Sequence, residues 1–252
     1  MIKSAGLKHQ GRHRPHNQDH LLIREDLGLY AVADGVEAEP SGEVASRLAL
    51  ESLAEIIGSI NLESDATPPF EYAQQIPLEA RALKFAVREV NRRLLEKAGS
   101  DPRLTGMCTT LTALWLQGPR ALIANVGDSR AYLIRGGRIL QLTSDHTTLA
   151  QGDAQAPAVA EFLEQYTTVS EHELTRAIGI NPDLEVQLAA GTPRREDLFL
   201  LCTDGLYQDL RDFEIMDLAC AYPPETATRK LISLANEKGG KDNLAVVIVK
   251  FS

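Results

Sequence analysis

Four aspartates share a local setting that suits metal and phosphate chemistry. Asp34 follows the apolar run Ala31-Val32-Ala33 and precedes Gly35, and Asp128 follows Ala124-Asn125-Val126-Gly127. Asp204 follows Leu200-Leu201-Cys202-Thr203 and precedes Gly205, whereas Asp242, in Gly239-Gly240-Lys241-Asp242-Asn243, stands where an apolar run begins. Taken singly, each is an ordinary turn residue, because an Asp side chain bonds nearby backbone N–H groups and tolerates unusual dihedrals. As a set they would meet if their strand ends lie along one rim of a sheet. Carboxylates gathered there repel one another and lose hydration, a penalty that hard cations such as Mg²⁺ or Mn²⁺ offset. Gly35 would let its carbonyl approach a cation with no Cβ in the way. Two such ions roughly 3.5–4 Å apart lower the pKa of a water between them and make a nucleophile.

Arg14, in Arg14-Pro15-His16-Asn17-Gln18-Asp19, precedes a further carboxylate just ahead of a strand. An isolated Arg is most often a solvated surface residue. Beside a dinuclear site it is a planar, permanently charged fork for two phosphoryl oxygens. Activated water with a phosphate clamp amounts to a phosphate-ester hydrolase. His16 and His20, close to Arg14, are either groups that titrate near neutral pH or polar loop residues.

These residues need elements to carry them. Leu21-Leu22-Ile23 and Leu29 to Ala33 read as a hairpin joined by Arg24 to Gly28. Val44, Leu48, Leu53, Ile56, Ile57 and Ile60 then follow a helical spacing with Ser41 as its N-cap. A polar break from Asn61 to Pro77 precedes a second helical stripe, Leu83, Val87, Val90 and Leu94, ending near Gly99. Strands follow at Thr109 to Leu116, Ala121 to Val126, Ala131 to Ile134 and Arg138 to Leu142. Weak periodicity from about Thr147 to Thr175 reads as an excursion from the core, with a short helix around Val159 to Tyr166. Strands return at Leu184 to Leu188 and Leu198 to Thr203, helices at about Asp212–Tyr222 and Glu225–Glu237, and Leu244 to Phe251 closes as a strand. Helices grouped after hairpins predict an α+β layered domain rather than a wound parallel sheet.

The 252 residues hold 26 Lys and Arg against 35 Asp and Glu, a formal charge of −9. That balance, without a basic block, excludes a nucleic-acid or anionic-membrane surface. No run approaches the roughly 18–20 apolar residues of a membrane span, and the first residues lack a signal-peptide core, so a cytoplasmic location is expected. Cys108, Cys202 and Cys220 are widely spaced in apolar stretches, which predicts three buried thiols in a reducing compartment rather than a zinc site.

Together the motifs resemble the metal-dependent protein serine/threonine phosphatases of the type 2C family, in compact bacterial form. The match runs through Arg14-x-x-Asn17-Gln18-Asp19, Ala33-Asp34-Gly35, Gly42-Glu43-Val44-Ala45-Ser46 and Gly106-Met107-x-Thr109-Thr110. It continues in Asn125-Val126-Gly127-Asp128-Ser129-Arg130-x-Tyr132, Leu142-Thr143-x-Asp145-His146, and Leu174-Thr175-Arg176-Ala177-Ile178-Gly179. Cys202-Thr203-Asp204-Gly205-Leu206 and Gly239-Gly240-x-Asp242-Asn243 complete it, so the likeness covers nearly the whole chain.

The resemblance implies a four-layer α-β-β-α sandwich, two antiparallel sheets flanked by helices, in one catalytic domain over 1–252. It also implies two Mn²⁺ or Mg²⁺ ions, with Asp34 bridging them, the Gly35 carbonyl on one, and Asp204 and Asp242 completing the protein ligands. Asp128 matches a ligand of a third, weaker metal shared with Asp204. Arg14 matches the phosphate-binding arginine, Asp19 a carboxylate that orients metal-bound water, and Asn243 a support for Asp242. The segment 147–175 matches the family's flap. The implied substrates are phosphoserine and phosphothreonine in proteins modified by a serine/threonine kinase, and the implied enzyme is a monomer. The usual Asp-Gly-x-Gly-Gly is here Asp34-Gly35-Val36-Glu37-Ala38. Glu37 or Ala38 would strain a loop that needs positive φ, by about 1–2 kcal/mol. Val36 also stands where many eukaryotic members carry a histidine proposed as general acid. This loop keeps open a second reading, a weak or inactive relative that binds a phosphoprotein; a small phosphate ester is a third, with the same chemistry. Cys108 replaces a glycine of the family pattern, a packing change.

Overall fold

The computed structural model describes residues 1–36, 41–62, 77–146 and 177–252. Its strands are β1 (Ile2–His9), β2 (Asp19–Arg24), β3 (Leu29–Val36), β4 (Cys108–Thr109), β5 (Leu111–Gln117) and β6 (Arg120–Val126), then β7 (Arg130–Arg135), β8 (Arg138–Gln141), β9 (Gln187–Gly191), β10 (Leu198–Cys202) and β11 (Leu244–Phe251). The helices are α1 (Ser41–Ser59), α2 (Leu78–Ser100), a single turn α3 (Asp204–Tyr207), α4 (Asp212–Ala221) and α5 (Pro224–Lys238). One sheet has the order β1-β11-β10-β7-β8 and the other β2-β3-β5-β6-β9, with β4 added on β3. All the ladders are antiparallel.

Three apolar clusters make this the four-layer sandwich that the resemblance implied. Leu29, Ala31 and Ala33 of β3 pack outward on α1 and α2, whereas Tyr30 and Val32 pack inward against Phe199, Leu201, Val247 and Val249 of the other sheet. On that second sheet Leu198, Leu200, Val246 and Ile248 face α4 and α5. Side chains alternate faces along a strand. The same parity that sends Tyr30 and Val32 inward therefore places Asp34 inward at the end of β3. It does the same for Asp19 ahead of Leu21 and Ile23, for Thr203 after Phe199 and Leu201, and for Asn243 ahead of Ala245 and Val247. The gap between the sheets is lined mainly by apolar side chains, and at this rim the inward positions become polar.

Several elements differ from the sequence reading. β1 was not anticipated, since Lys, Ser, Ala and Gly carry little strand preference; it forms because Ile2 to His9 pair in full register with Phe251 to Leu244. The strand expected at Leu184 begins at Gln187, opposite Asn125 near the end of β6. Leu184 and Val186 are buried against the α2 layer instead. The strand expected from Thr109 is broken at Thr110, whose backbone and hydroxyl both turn to Asp34. Ser41, expected as a cap, is the first helical residue of α1. Cys108 and Cys202 are buried as expected, but Cys220 is exposed on α4. The short helix expected at Val159 to Tyr166 and the flap lie outside the described residues, as do Glu37 and Ala38. Among the described residues no helix is long and apolar enough to cross a membrane.

Candidate active site

The rim where β2 begins, β3 ends, β10 ends and β11 begins brings Asp19, Asp34, Asp204 and Asp242 together, two from the strand ends of each sheet. Asp19 and Asp34 are directly opposed in the β2–β3 register. Asp204 opens α3 one residue after Thr203, and Asp242 lies just ahead of β11. Antiparallel pairing of β10 with β11 makes these neighbours, just as β2 and β3 make neighbours of the other two.

Desolvation and mutual repulsion act on the whole cluster. Asp19 is fully buried, and burial pushes its carboxyl up to about 7 against the pull of the Thr203 hydroxyl, with the charge of Asp204 adding to the rise. Burial, then the charges of Asp19, Asp204 and Asp242, hold Asp34 well above the usual carboxylate range. Asp204 is raised to about 6 by burial, then by Asp242 and Asp128. Asp128 sits in the turn between β6 and β7, is raised by its burial, and acts on Asp204 from the side.

Each carboxylate is also held by the protein. The Thr203 hydroxyl donates to Asp19 Oδ2 (2.7 Å), Gln208 Nε2 to Asp204 Oδ2 (2.7 Å), and the Asn243 N–H to Asp242 Oδ1 (2.8 Å). Asp34 is gripped through its main chain: its N–H donates to Thr110 Oγ1 (2.9 Å), and its carbonyl accepts from Thr109 Oγ1 (2.8 Å) and the Thr110 N–H (2.8 Å). Gly35 lies so close to α1 that a Cβ would collide with the Gly42 carbonyl. Asp128 is held by Tyr207, whose hydroxyl donates to its carbonyl (3.0 Å) and whose ring carries the Arg130 guanidinium 3.6 Å from its centroid. Arg130 in turn pairs with Asp145 (2.6 Å) at the approach to residue 147.

Arg14 joins this rim through Asp242, its Nη2 donating to Oδ2 at 2.6 Å. That bond, more than the surrounding charge, raises the guanidinium further. Asn243 supports the Asp242 carboxylate through its backbone N–H, while its side chain turns elsewhere. Its Oδ1 accepts from the Gln18 N–H (2.7 Å), and its Nδ2 donates to the carbonyls of Gln10 (2.8 Å) and His16 (2.9 Å). It therefore ties down the loop that carries Arg14. His20 lies on β2 rather than on a loop, with Nδ1 3.0 Å from Ser46 Oγ. Burial first, then Lys8, lowers it to about 4, so it does not titrate near neutral pH. His16 is exposed on the loop, and Val36, at the end of β3, is 46% exposed.

Two oxygens decide whether cations suit this rim. Asp19 Oδ1 and Asp204 Oδ1 are buried without a hydrogen-bond partner. A buried unpaired carboxylate oxygen is costly, and hard cations are the ligands that oxygen-only donors of this kind satisfy. Among the described residues no three His, Cys, Asp or Glu side chains are placed to hold a metal ion as they stand. Arg14, Gln208 and Thr203 each occupy one carboxylate oxygen of the cluster. The residues fit a divalent pair in type, charge and burial, with Asp19 Oδ1 and Asp204 Oδ1 the oxygens left open to it.

Sequence reading missed Lys8, Thr203, Thr110 and Gln208. Thr203 was legible from its parity with Phe199 and Leu201; Lys8 was not, because β1 itself was not read.

Comparison with known proteins agrees with this geometry. The profile described as Protein phosphatase 2C matches residues 5–247. The serine/threonine protein phosphatase PstP of Mycobacterium tuberculosis is 31% identical over 251 residues, 98% of this chain and 45% of that protein. This chain thus spans about half the length of that relative. The serine/threonine phosphatase stp of Listeria monocytogenes is 30% identical over 250 residues, 96% of this chain and 92% of that one. Among solved structures, the catalytic domain of PstP in complex with two manganese ions superposes with a TM-score of 0.77 at 29% identity, covering 99% of this chain and 97% of that one. A profile match over nearly the whole length, on the same sandwich and with the carboxylates at one rim, leaves one assignment: this chain belongs to the protein phosphatase 2C family.

Proposed function

We propose that this protein hydrolyses phosphoserine and phosphothreonine in proteins with two Mn²⁺ or Mg²⁺ ions held at the carboxylate rim, and that 1–252 is the catalytic unit, with 147–175 as its flap. The observation that carries the reading is the pair of buried, unpartnered oxygens on Asp19 and Asp204 within a desolvated cluster of four aspartates. Bound cations supply activation of water and neutralise charge at phosphorus.

The chain's own residues do the rest. Asp34, fixed through its main chain, would hold both ions, with the Gly35 carbonyl, Asp204 and Asp242 as the other protein ligands. Asp128, beside Asp204, would serve a third, weaker site. Asp19, with Oδ1 unpartnered, would orient water at the site. Arg14 is close enough to Asp242 to exchange that carboxylate for phosphoryl oxygens, which it would grip as a planar fork. A phosphoprotein made by a serine/threonine kinase is the substrate class such a site takes.

The direct test is Mn²⁺-dependent phosphate release from a phosphothreonine peptide. Asp204→Ala should lower kcat/KM on the order of 100-fold, since it removes a ligand rather than a support. Equal activity in the two proteins would sink the assignment. Tight Mn²⁺ binding without turnover would support the phosphoprotein-binding alternative.

A further inference from the structure

We infer that Thr203 and Lys8 are positioning residues that clamp Asp19 across the gap between the two sheets and so select which of its oxygens faces the site. The inference rests on the hydrolase reading above. Asp19 belongs to the β2-β3 sheet, yet both groups come from the other sheet, at the end of β10 and on β1.

The hydrogen-bond directions follow from the chemistry. The Ala245 N–H can only donate, and it does so to Thr203 Oγ1 at 2.8 Å. The hydroxyl must then place its own hydrogen elsewhere. Asp19 Oδ2 is 2.7 Å away; the competing Ala245 carbonyl is at 3.5 Å and already accepts the Thr203 N–H at 3.1 Å. The chain therefore runs from amide to hydroxyl to carboxylate, and Oδ2 is spent as an acceptor. Oδ1, buried without a partner, is the atom left for the cluster.

Lys8 fixes the main chain of the same residue. Its Nζ donates to the Asp19 carbonyl at 3.0 Å. Gly6, two residues earlier on the same face of β1, keeps that face close to β2: a Cβ there would stand 3.1 Å from the side-chain tips of Leu21 and Ile23 and 3.2 Å from Val247.

The device answers a geometric need. The candidate ligands come from both sheets, whose facing sides meet mainly through apolar packing that has no preferred direction. Hydrogen bonds are directional. Placed at the rim, they set the sheets' relative position where it matters to within a fraction of an ångström.

The experiment compares wild type, Thr203→Val, Thr203→Ser and Lys8→Met. It reads Mn²⁺ affinity by calorimetry, kcat and KM on a phosphothreonine peptide, and the thermal midpoint. Thr203→Val should lose about 10-fold or more in both Mn²⁺ affinity and kcat with KM unchanged, the scale at which groups behind metal ligands act. Thr203→Ser, which keeps the hydroxyl, should stay within about 3-fold of wild type, and Lys8→Met should lose less than Thr203→Val. A Thr203→Val protein that melts lower but binds Mn²⁺ and turns over like wild type overturns the clamp while leaving the hydrolase reading intact. Should Thr203→Val not fold, Lys8→Met decides alone, and wild-type affinity and kcat in it overturn the inference. A wild-type protein that neither binds Mn²⁺ nor releases phosphate removes the hydrolase reading, and the clamp with it.

Discussion

The guanidinium of Arg14 lies 2.6 Å from the carboxylate of Asp242, a pair 228 residues apart in sequence that joins the candidate phosphate grip to a candidate metal ligand. The Arg14 side chain is 53% exposed and that of Asp242 27%, so water screens the attraction. Such a pair is weak enough to exchange when a stronger partner arrives for either side.

That exchange gives the first prediction. Arg14→Ala should raise KM for a phosphothreonine peptide about 10-fold while leaving Mn²⁺ affinity within about 3-fold, because the arginine meets substrate rather than cation. Steady-state kinetics and calorimetry on the same preparation check it. Unchanged KM would remove Arg14 from the site.

Burying four carboxylates together weakens the fold to serve the site. Asp34→Asn should therefore be more stable than wild type in chelator, by about 1–2 kcal/mol, since it removes one buried like charge. Adding Mn²⁺ should reverse the order, stabilising wild type and leaving the variant nearly unchanged. Chemical denaturation with and without Mn²⁺ measures both. A variant less stable than wild type in chelator contradicts the repulsion argument.

The same carboxylates set a pH dependence. Asp19 and Asp204 stand at about 7 and about 6 in the folded chain, above the ordinary 3.8, and Asp34 is likewise held well above it. Groups raised on folding stabilise fully below their unfolded value and lose that contribution as pH rises through the folded one. In chelator, then, the thermal midpoint should fall as pH goes from about 6.5 to 8. His20, lowered to about 4, acts in the opposite sense, but its contribution is complete above its unfolded value of 6.5 and so does not oppose the trend there. Cations displace the same protons, so Mn²⁺ affinity should tighten over pH 5.5–7.5 with proton release seen as a buffer-dependent binding heat. A flat affinity profile would count against protonated carboxylates at the rim.

Gly35 has a steric role separate from any ligand role. Its missing Cβ admits the Gly42 carbonyl of α1, and main chain on both sides leaves no flexible side chain to move. Gly35→Ala should destabilise by about 1–3 kcal/mol in denaturant titration. A shift below about 0.5 kcal/mol would show that β3 and α1 are less tightly apposed there.

How much of this was legible in the chain follows from the range of each interaction. Apolar periodicity and turn residues are local, so α1, α2, β5, β6, β10 and β11 could be read near their true bounds. The strand-end aspartates could be paired with cation chemistry because Asp before Gly after an apolar run is a local pattern. β1 could not be read, since its weak strand residues are held by β11 at the far end of the chain. Nor could the start of β9, which is set by where its partner β6 stops, or the exposure of Cys220, which depends on which face of α4 the sheet covers.

What the sequence by itself determined is the identity of the donors and their parity: Asp19, Asp34, Thr203 and Asn243 fall on the inward face because side chains alternate along a strand. Tertiary structure alone decided who holds whom. The side chain of Asn243 serves the Arg14 loop instead of Asp242, His20 is turned toward α1 and kept neutral, and Asp19 is gripped by Thr203 and Lys8 from the opposite sheet. Those partners lie up to 233 residues apart, and only the packing of two sheets brings them within hydrogen-bond reach.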